Sequence, residues 1–331
     1  MPWLVGAVIV VFLLMTLTAV IPIRVPAFAS HADPAQSYAD AIARIARQQR
    51  SDDRVVAAGG RSVLLTHGAP TSRVVVLLHG LTNSPRQFER LAAGLHAAGD
   101  TVYIPRLPHH AERNGTAATL AGLTADELRH YADTAVDAAV ALGQSIVVAG
   151  VSAGGTLVAW VVQNRADIHR AVIIAPVLEI ARVPSLLAEP LMHLALRLPN
   201  LTRLLPPDPQ RPDRERGVAS RAVAEVLRFG ASVRRAAARR PPHACEIVFV
   251  VNANDHTVKT SPVLELARCW SEHGASVAVY QFPLSLGLPH DIAEEAYANA
   301  NPAMVYPALQ ALIHGEPPPP VLASHRLWPA T

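Results

Sequence analysis

GVSAGG, residues 150–155, lies between the apolar run SIVVA (145–149) and TLVAWVVQ (156–163). A short apolar strand that ends in glycine and passes at once into a helical pattern describes a strand, a sharp turn and a helix. A serine between glycines at such a turn projects its hydroxyl from the end of the strand. Ser152 is therefore either a nucleophile or a small residue in a glycine-rich turn, and the rest of the chain must decide between them.

Working outward, the same unit recurs. RVVVLLHG (73–80), TVYIP (101–105), AVIIAP (171–176), EIVFVVN (246–252) and SVAVYQF (276–282) are short runs rich in β-branched residues. Between them lie helix signals: Ser84 before Pro85, the Thr124-x-x-Glu127 capping box, and Ser261 before Pro262. Doubly apolar strands alternating with helices predict a mostly parallel central sheet covered on both faces. RVVAAGGRSVLLTHG (54–68) reads as a hairpin turning at Gly59 and Gly60. The alternation stops after Val177, where two helical stretches flank PPDPQRPDRERG and no strand is expected. Residues 177–242 thus read as a helical cap inserted into an α/β domain of residues 54–315. Residues 30–53 read as a linker helix, and residues 316–331 as an exposed proline-rich tail.

The first segment differs in kind. No charged side chain occurs from Met1 to Ile23, and WLVGAVIVVFLLMTLTAV is long enough to cross a hydrocarbon core. Residues 1–29 are read as a membrane anchor holding the domain outside the cytoplasm. The alternative is a secreted protein, because Ala27-Phe28-Ala29 before Ser30 has the small-x-small form of a signal-peptidase site. Half of the 331 residues are hydrophobic and the formal charge is only +3, with 29 Lys and Arg against 26 Asp and Glu, which speaks against nucleic acid as a partner. The two cysteines, Cys245 and Cys269, are too few for a disulfide scaffold and are expected to be free. His109 and His110 have no third ligand at suitable spacing, so neither a metal nor another cofactor is expected.

In a parallel sheet, ligands bind beyond the carboxyl ends of the strands. The loops there carry His79-Gly80-Leu81-Thr82, then Ser152, then Asn254-Asp255, then Gly287 through His290. A serine hydroxyl needs a base to become nucleophilic, histidine suits that role, and a carboxylate fixes the imidazole tautomer. Ser152, Asp255 and His290 are the candidate catalytic residues, with Glu179 the substitute acid and His256 the competing base. Backbone amides at Leu81 and Ala153 are placed to receive an oxyanion. Gly80, Thr82, Met192 and Leu227 are candidate substrate contacts.

GVSAGG, LLHGLTNSP, NANDHTV and LPHDI together resemble the α/β-hydrolase superfamily, and within it the bacterial carboxylesterases and monoacylglycerol lipases grouped with serine-aminopeptidase-like hydrolases. The resemblance spans roughly Arg54 to His314. It implies the α/β-hydrolase fold, with Ser152 as nucleophile, Asp255 as acid, His290 as base, and Leu81 and Ala153 as the oxyanion hole. Two positions depart from the pattern: Val151 where relatives often carry histidine, and Leu107-Pro108-His109-His110 where they carry P-G-H-G. The expected activity is cleavage of small esters or lipid esters with short to medium acyl chains through an acyl-enzyme. A peptidase, amidase or acyltransferase would use the same residues, and a non-catalytic binding protein could use the same fold.

Overall fold

The computed structural model describes residues 21–205, 211–244 and 246–324. Eight strands form one sheet in the order β1 (Val63–Leu65), β3 (Thr101–Ile104), β2 (Thr71–Leu78), β4 (Gly143–Val151), β5 (Arg170–Ile174), β8 (Glu246–Asn252), β9 (Ser276–Phe282) and β10 (Ala323–Ser324). The six inner strands are parallel and the two edge strands antiparallel. The central strands are buried on both faces, which is why they read as unbroken apolar runs rather than alternating ones.

Helices α2 (Glu89–Ala97), α4 (Ala125–Ala139), α5 (Ala153–Asn164), α8 (Ser261–Glu272) and α9 (Pro302–His314) cover the sheet, with the short α3 (Ala117–Leu120) beside them. Thr124 and Glu127 form the expected capping box at the start of α4, and Ser84 caps a 3₁₀ turn at Pro85–Phe88 that leads into α2. The cap carries α6 (Ser185–Arg197) and α7 (Ser220–Ala237).

Four expectations change. The helix assigned to residues 30–53 is α1 (Tyr38–Val55), and it is packed rather than a free linker: Ala41 and Ile45 are buried, and Asp52 is fully buried against Arg106 at 2.8 Å. Consequently Arg54 and Val55 end a helix, and the expected hairpin reduces to β1 pairing with β3. The cap does contain strands, the three-residue pair β6 (Thr202–Leu204) and β7 (Gly217–Ala219), too short to leave a periodic signature. The tail folds back far enough for Ala323 and Ser324 to extend the sheet, with Leu322 buried.

No helix among the described residues is long and apolar enough to cross a membrane. The expected span lies almost wholly in residues 1–20, outside them, as does Cys245; among the described residues Cys269 is a free thiol.

Order begins well before the first strand. Phe28 is buried, its carbonyl accepts a 2.7 Å bond from Trp160 Nε1, and its ring lies 5.5 Å from that of Phe229 in α7. Ser30 Oγ donates to Asp133 at 2.6 Å, and the His31 amide donates to the same carboxylate. A chain starting at residue 31 is therefore expected to lose about 3–5 kcal/mol relative to one starting at residue 21, the usual cost of emptying a phenylalanine site. Urea denaturation of the two truncations tests this, and equal stabilities would show that Phe28 is dispensable.

Candidate active site

Strand β4 delivers its last residue into a turn that main-chain crowding closes. Ser152 has φ 58° and ψ −118°, a conformation that costs a non-glycine residue about 1–3 kcal/mol and is kept only under constraint. The constraint is visible on either side. A Cβ on Gly154 would lie 1.9 Å from the Leu78 carbonyl oxygen, and one on Gly150 would lie 2.5 Å from the Gly154 oxygen. Helix α5 thus starts directly against the end of β2. The Ser152 amide donates to the Ile174 carbonyl at 2.9 Å, which ties the turn to β5.

His290 reaches this serine from the loop after β9. Its Nε2 lies 2.9 Å from Ser152 Oγ and its Nδ1 2.7 Å from Asp255 Oδ2. Asp255 Oδ1 accepts the Thr257 and Val258 amides at 2.8 and 3.1 Å. Burial would raise the Asp255 carboxyl, but the His290 contact and these amides outweigh it and hold the group below its ordinary value. An ionised Asp255 requires N–H at Nδ1, which leaves Nε2 as an acceptor facing the serine hydroxyl. The histidine loop is itself anchored: Asn252 Nδ2 donates to the Leu288 and Pro289 carbonyls, and Asn254 Nδ2 to Leu288.

The competing assignments fall elsewhere. Glu179 is engaged by Lys259, Arg234 and Ser185 rather than by a histidine, and His256 is exposed. No cluster among the described residues has the form of a metal site.

Neither the Leu81 nor the Ala153 amide donates to a protein acceptor among the described residues. The Ala153 amide opens α5, so it adds the positive end of that helix to the space beside Ser152. The loop bearing Leu81 is held by two histidines. His79 Nε2 accepts the Leu107 amide, so its Nδ1 carries the proton donated to the Gly80 carbonyl at 3.0 Å. His110 faces two carbonyls, Pro108 at 2.8 Å through Nδ1 and Leu81 at 2.7 Å through Nε2. Burial lowers this ring to about 4, so it is neutral near pH 7 and gives its single proton to one of the two oxygens. Sequence reading gave His110 no role in the site. It supports the loop from beneath, and its neighbour Ala111 has φ 56°.

A cavity of about 360 Å³ surrounds Ser152 and His290. Gly80, Leu81 and Thr82 line it, with an apolar wall that includes Val177, Ile180, Val223 and Val258. Met192 and Leu227 are not part of it. They line a neighbouring cavity of about 820 Å³ between α6 and α7, which shares Ile180 and Val223 with the first. The reason is helical phase: Val226 turns toward Ser152, Val223 borders both cavities, and Leu227, about 100° on from Val226 round α7, faces α6.

Sequence reading also missed Asp291 and Tyr297, which line the Ser152 cavity. Asp291 sits beside His290 in LPHDI, but adjacency does not reveal which side chain turns inward. It is almost fully buried, accepts from Gln87 Nε2 and Asn83 Nδ2, and is raised by burial to about 6.

A model of the alpha/beta hydrolase family matches residues 75–300, two thirds of the chain, including every residue of this constellation. The chain belongs to the alpha/beta hydrolase family. No curated protein matches it by sequence. Among solved structures, this alpha/beta hydrolase is similar to one described as part of the LipS and LipT pair of metagenome-derived lipolytic enzymes, at 21% identity and a TM-score of 0.58, covering 79% of this chain and 100% of that one. A monoacylglycerol lipase from Paleococcus ferrophilus aligns at 18% identity and a TM-score of 0.56, covering 77% and 98%. Est1E from Butyrivibrio proteoclasticus, with ferulic acid bound, aligns at 15% and 0.51, covering 79% and 98%. At these identities the likeness is one of fold.

One further carboxyl of this alpha/beta hydrolase is perturbed. Glu215, in the cap, is raised by burial and by nearby Glu112 to about 7, against the Ala111 amide and Arg106, which lower it. Its folded value lies above its unfolded one, so its contribution to stability is full below about pH 4.5 and is lost as pH rises through about 7. Glu215→Gln removes the titration while keeping an oxygen acceptor. The stability difference between variant and wild type should shift in the variant's favour between pH 5 and pH 8, as read from urea midpoints; a constant difference would mean that Glu215 ionises freely.

Proposed function

We propose that the protein is a serine hydrolase that cleaves carboxylic esters through an acyl-enzyme. The carrying observation is the hydrogen-bonded line from Asp255 through His290 to Ser152 Oγ, with bonds of 2.7 and 2.9 Å, beside two amides without protein acceptors among the described residues.

Ser152 Oγ attacks the ester carbonyl as its proton passes to His290 Nε2, and Asp255 stabilises the imidazolium. The carbonyl oxygen takes up negative charge against the Leu81 and Ala153 amides. Collapse breaks the bond to the alcohol, which leaves with the proton from Nε2, and Ser152 retains the acyl group. Water then gives its proton to His290 and attacks the acyl carbon, releasing the acid and restoring the serine.

The apolar wall of the Ser152 cavity and its modest volume favour short to medium acyl chains. Each buried methylene contributes about 0.8 kcal/mol, so turnover should rise with chain length until the cavity is full and then fall. Asp291 favours a second reading, a peptidase that receives a free amino group there. Both of its oxygens already accept amide protons, and its raised value disfavours the charge an ammonium partner would require, so the ester reading is kept.

The proposed location is at a membrane through the apolar amino-terminal segment, with the domain outside the cytoplasm. Retention of that segment accords with Phe28, since cleavage after Ala29 would strip a buried residue from the core.

Ser152→Ala should fold and lose both turnover and fluorophosphonate labelling, and Asp255→Asn should slow turnover on the order of 10⁴-fold. A nitrophenyl-ester series from acetyl to palmitoyl, run beside an aminoacyl-anilide, tests the reading. Anilide turnover above that of every ester would overturn it in favour of a peptidase.

A further inference from the structure

The cap sends one charged segment down into the loops of the candidate site. Arg211, Asp213 and Glu215 are all buried, an expensive arrangement for three ionisable side chains unless each is partnered. Their partners lie on three different loops. The Glu215 amide donates to the Thr82 carbonyl at 3.2 Å, and its carboxylate accepts the Ala111 amide at 2.8 Å. Asp213 accepts from Ser84 Oγ at 2.5 Å. Arg211 bridges Asp213 at 2.9 Å and Glu294 at 2.5 Å, four residues after His290.

These contacts bracket the group that matters for an oxyanion. Thr82 follows Leu81 directly. Ala111 follows His110, whose Nε2 lies 2.7 Å from the Leu81 carbonyl. Both His109 and Ala111 have positive φ, at 64° and 56°, a conformation that residues with a side chain keep only under restraint. The Arg106 guanidinium holds the His110 carbonyl on one side of that loop, and Glu215 holds the Ala111 amide on the other.

We propose that Glu215 is a positioning residue: by fixing Thr82 through its backbone and the strained Ala111 through its carboxylate, it sets the direction of the Leu81 amide toward the oxyanion. The cap is thereby a structural member of the oxyanion loop as well as a cover over it. This rests on the ester-hydrolase reading for its kinetic consequence, but the placement itself has an independent readout.

The test compares the full chain with Glu215→Ala, Glu215→Asp and Glu215→Gln, using nitrophenyl butyrate as substrate and an alkyl boronic acid as the tetrahedral mimic. Misdirecting a donor that acts only in the transition state lowers kcat and leaves KM nearly unchanged. Glu215→Ala is expected to lose about tenfold or more in kcat, to weaken the boronate by a similar factor, and to change KM by no more than about twofold. Glu215→Gln, whose amide oxygen still accepts from Ala111, should recover most of the loss. Glu215→Asp, one methylene short of Ala111, should fall between, and it carries the test if the alanine variant does not fold. Amide hydrogen exchange at residues 81–84 and 107–111 should accelerate in Glu215→Ala or Glu215→Asp and not in Glu215→Gln. Unchanged exchange in both segments, a kcat within about twofold of wild type in Glu215→Ala and Glu215→Asp, or failure of Gln to rescue would overturn the proposal. A wild-type protein that turns over no ester would sink the functional reading alone, and the exchange comparison would still decide the placement.

Discussion

The structure depends on how closely two strand ends approach. The start of α5 lies so near the Leu78 carbonyl that position 154 has no room for a side-chain carbon. That contact pulls the chain into a turn too tight for ordinary backbone angles, and Ser152 takes the strain. The same closeness puts the Ala153 amide beside the serine and brings the Gly80–Thr82 loop, which continues β2, to the opposite side of one small space. Candidate nucleophile and both candidate donors are thus set by one packing requirement between β2, β4 and α5. The histidine and the aspartate then need only to arrive from the loops after β9 and β8, which the parallel sheet places on the same rim.

A second constraint is the burial of charge around that rim. The chain carries many arginines and little net charge, and much of this charge is spent in internal pairs rather than on a binding surface. Asp52 meets Arg106, Arg165 meets Asp133 and Asp137, and Arg211 meets Asp213 and Glu294, all with nearly buried side chains. Such pairs add modest net stability over apolar packing, yet breaking one strands a charge at a cost of about 3–5 kcal/mol. Their effect is to fix which segments lie against which. Asp52 joins the amino-terminal helix to the β3 loop, Asp133 receives residues 30 and 31, and the Arg211–Glu215 segment joins the cap to the loops of the site. This explains why residues 30–53, which read as a linker, belong to the folded body.

Legibility in the sequence followed the range of the interactions. Strands β8 and β9 appear with the boundaries that their apolar runs indicate, and the Thr124–Glu127 box forms as written, because these signals are carried by neighbouring residues. Ser152, Asp255 and His290 were readable because each follows a strand end, and the sheet topology does the rest. Where a helix decides by rotation, the reading failed: Leu227 and Val226 are adjacent, equally apolar, and face different cavities. Asp291 was passed over because, in a loop, its adjacency to His290 does not show which side chain turns inward.

By itself, then, the sequence determined the alternation of strands and helices, the place of the elbow and the chain order of serine, aspartate and histidine, since local pattern and strand-end position suffice for those. Tertiary structure alone decided what lies inside the cavity, which histidine supports the Leu81 loop, and how the cap is joined to it. Those outcomes depend on contacts between residues tens to hundreds of positions apart, such as His110 with Leu81, Glu215 with Ala111 and Asp291 with Gln87. No pattern along the chain encodes such a pair, because the partners become neighbours only when the sheet, the helices and the cap are packed together.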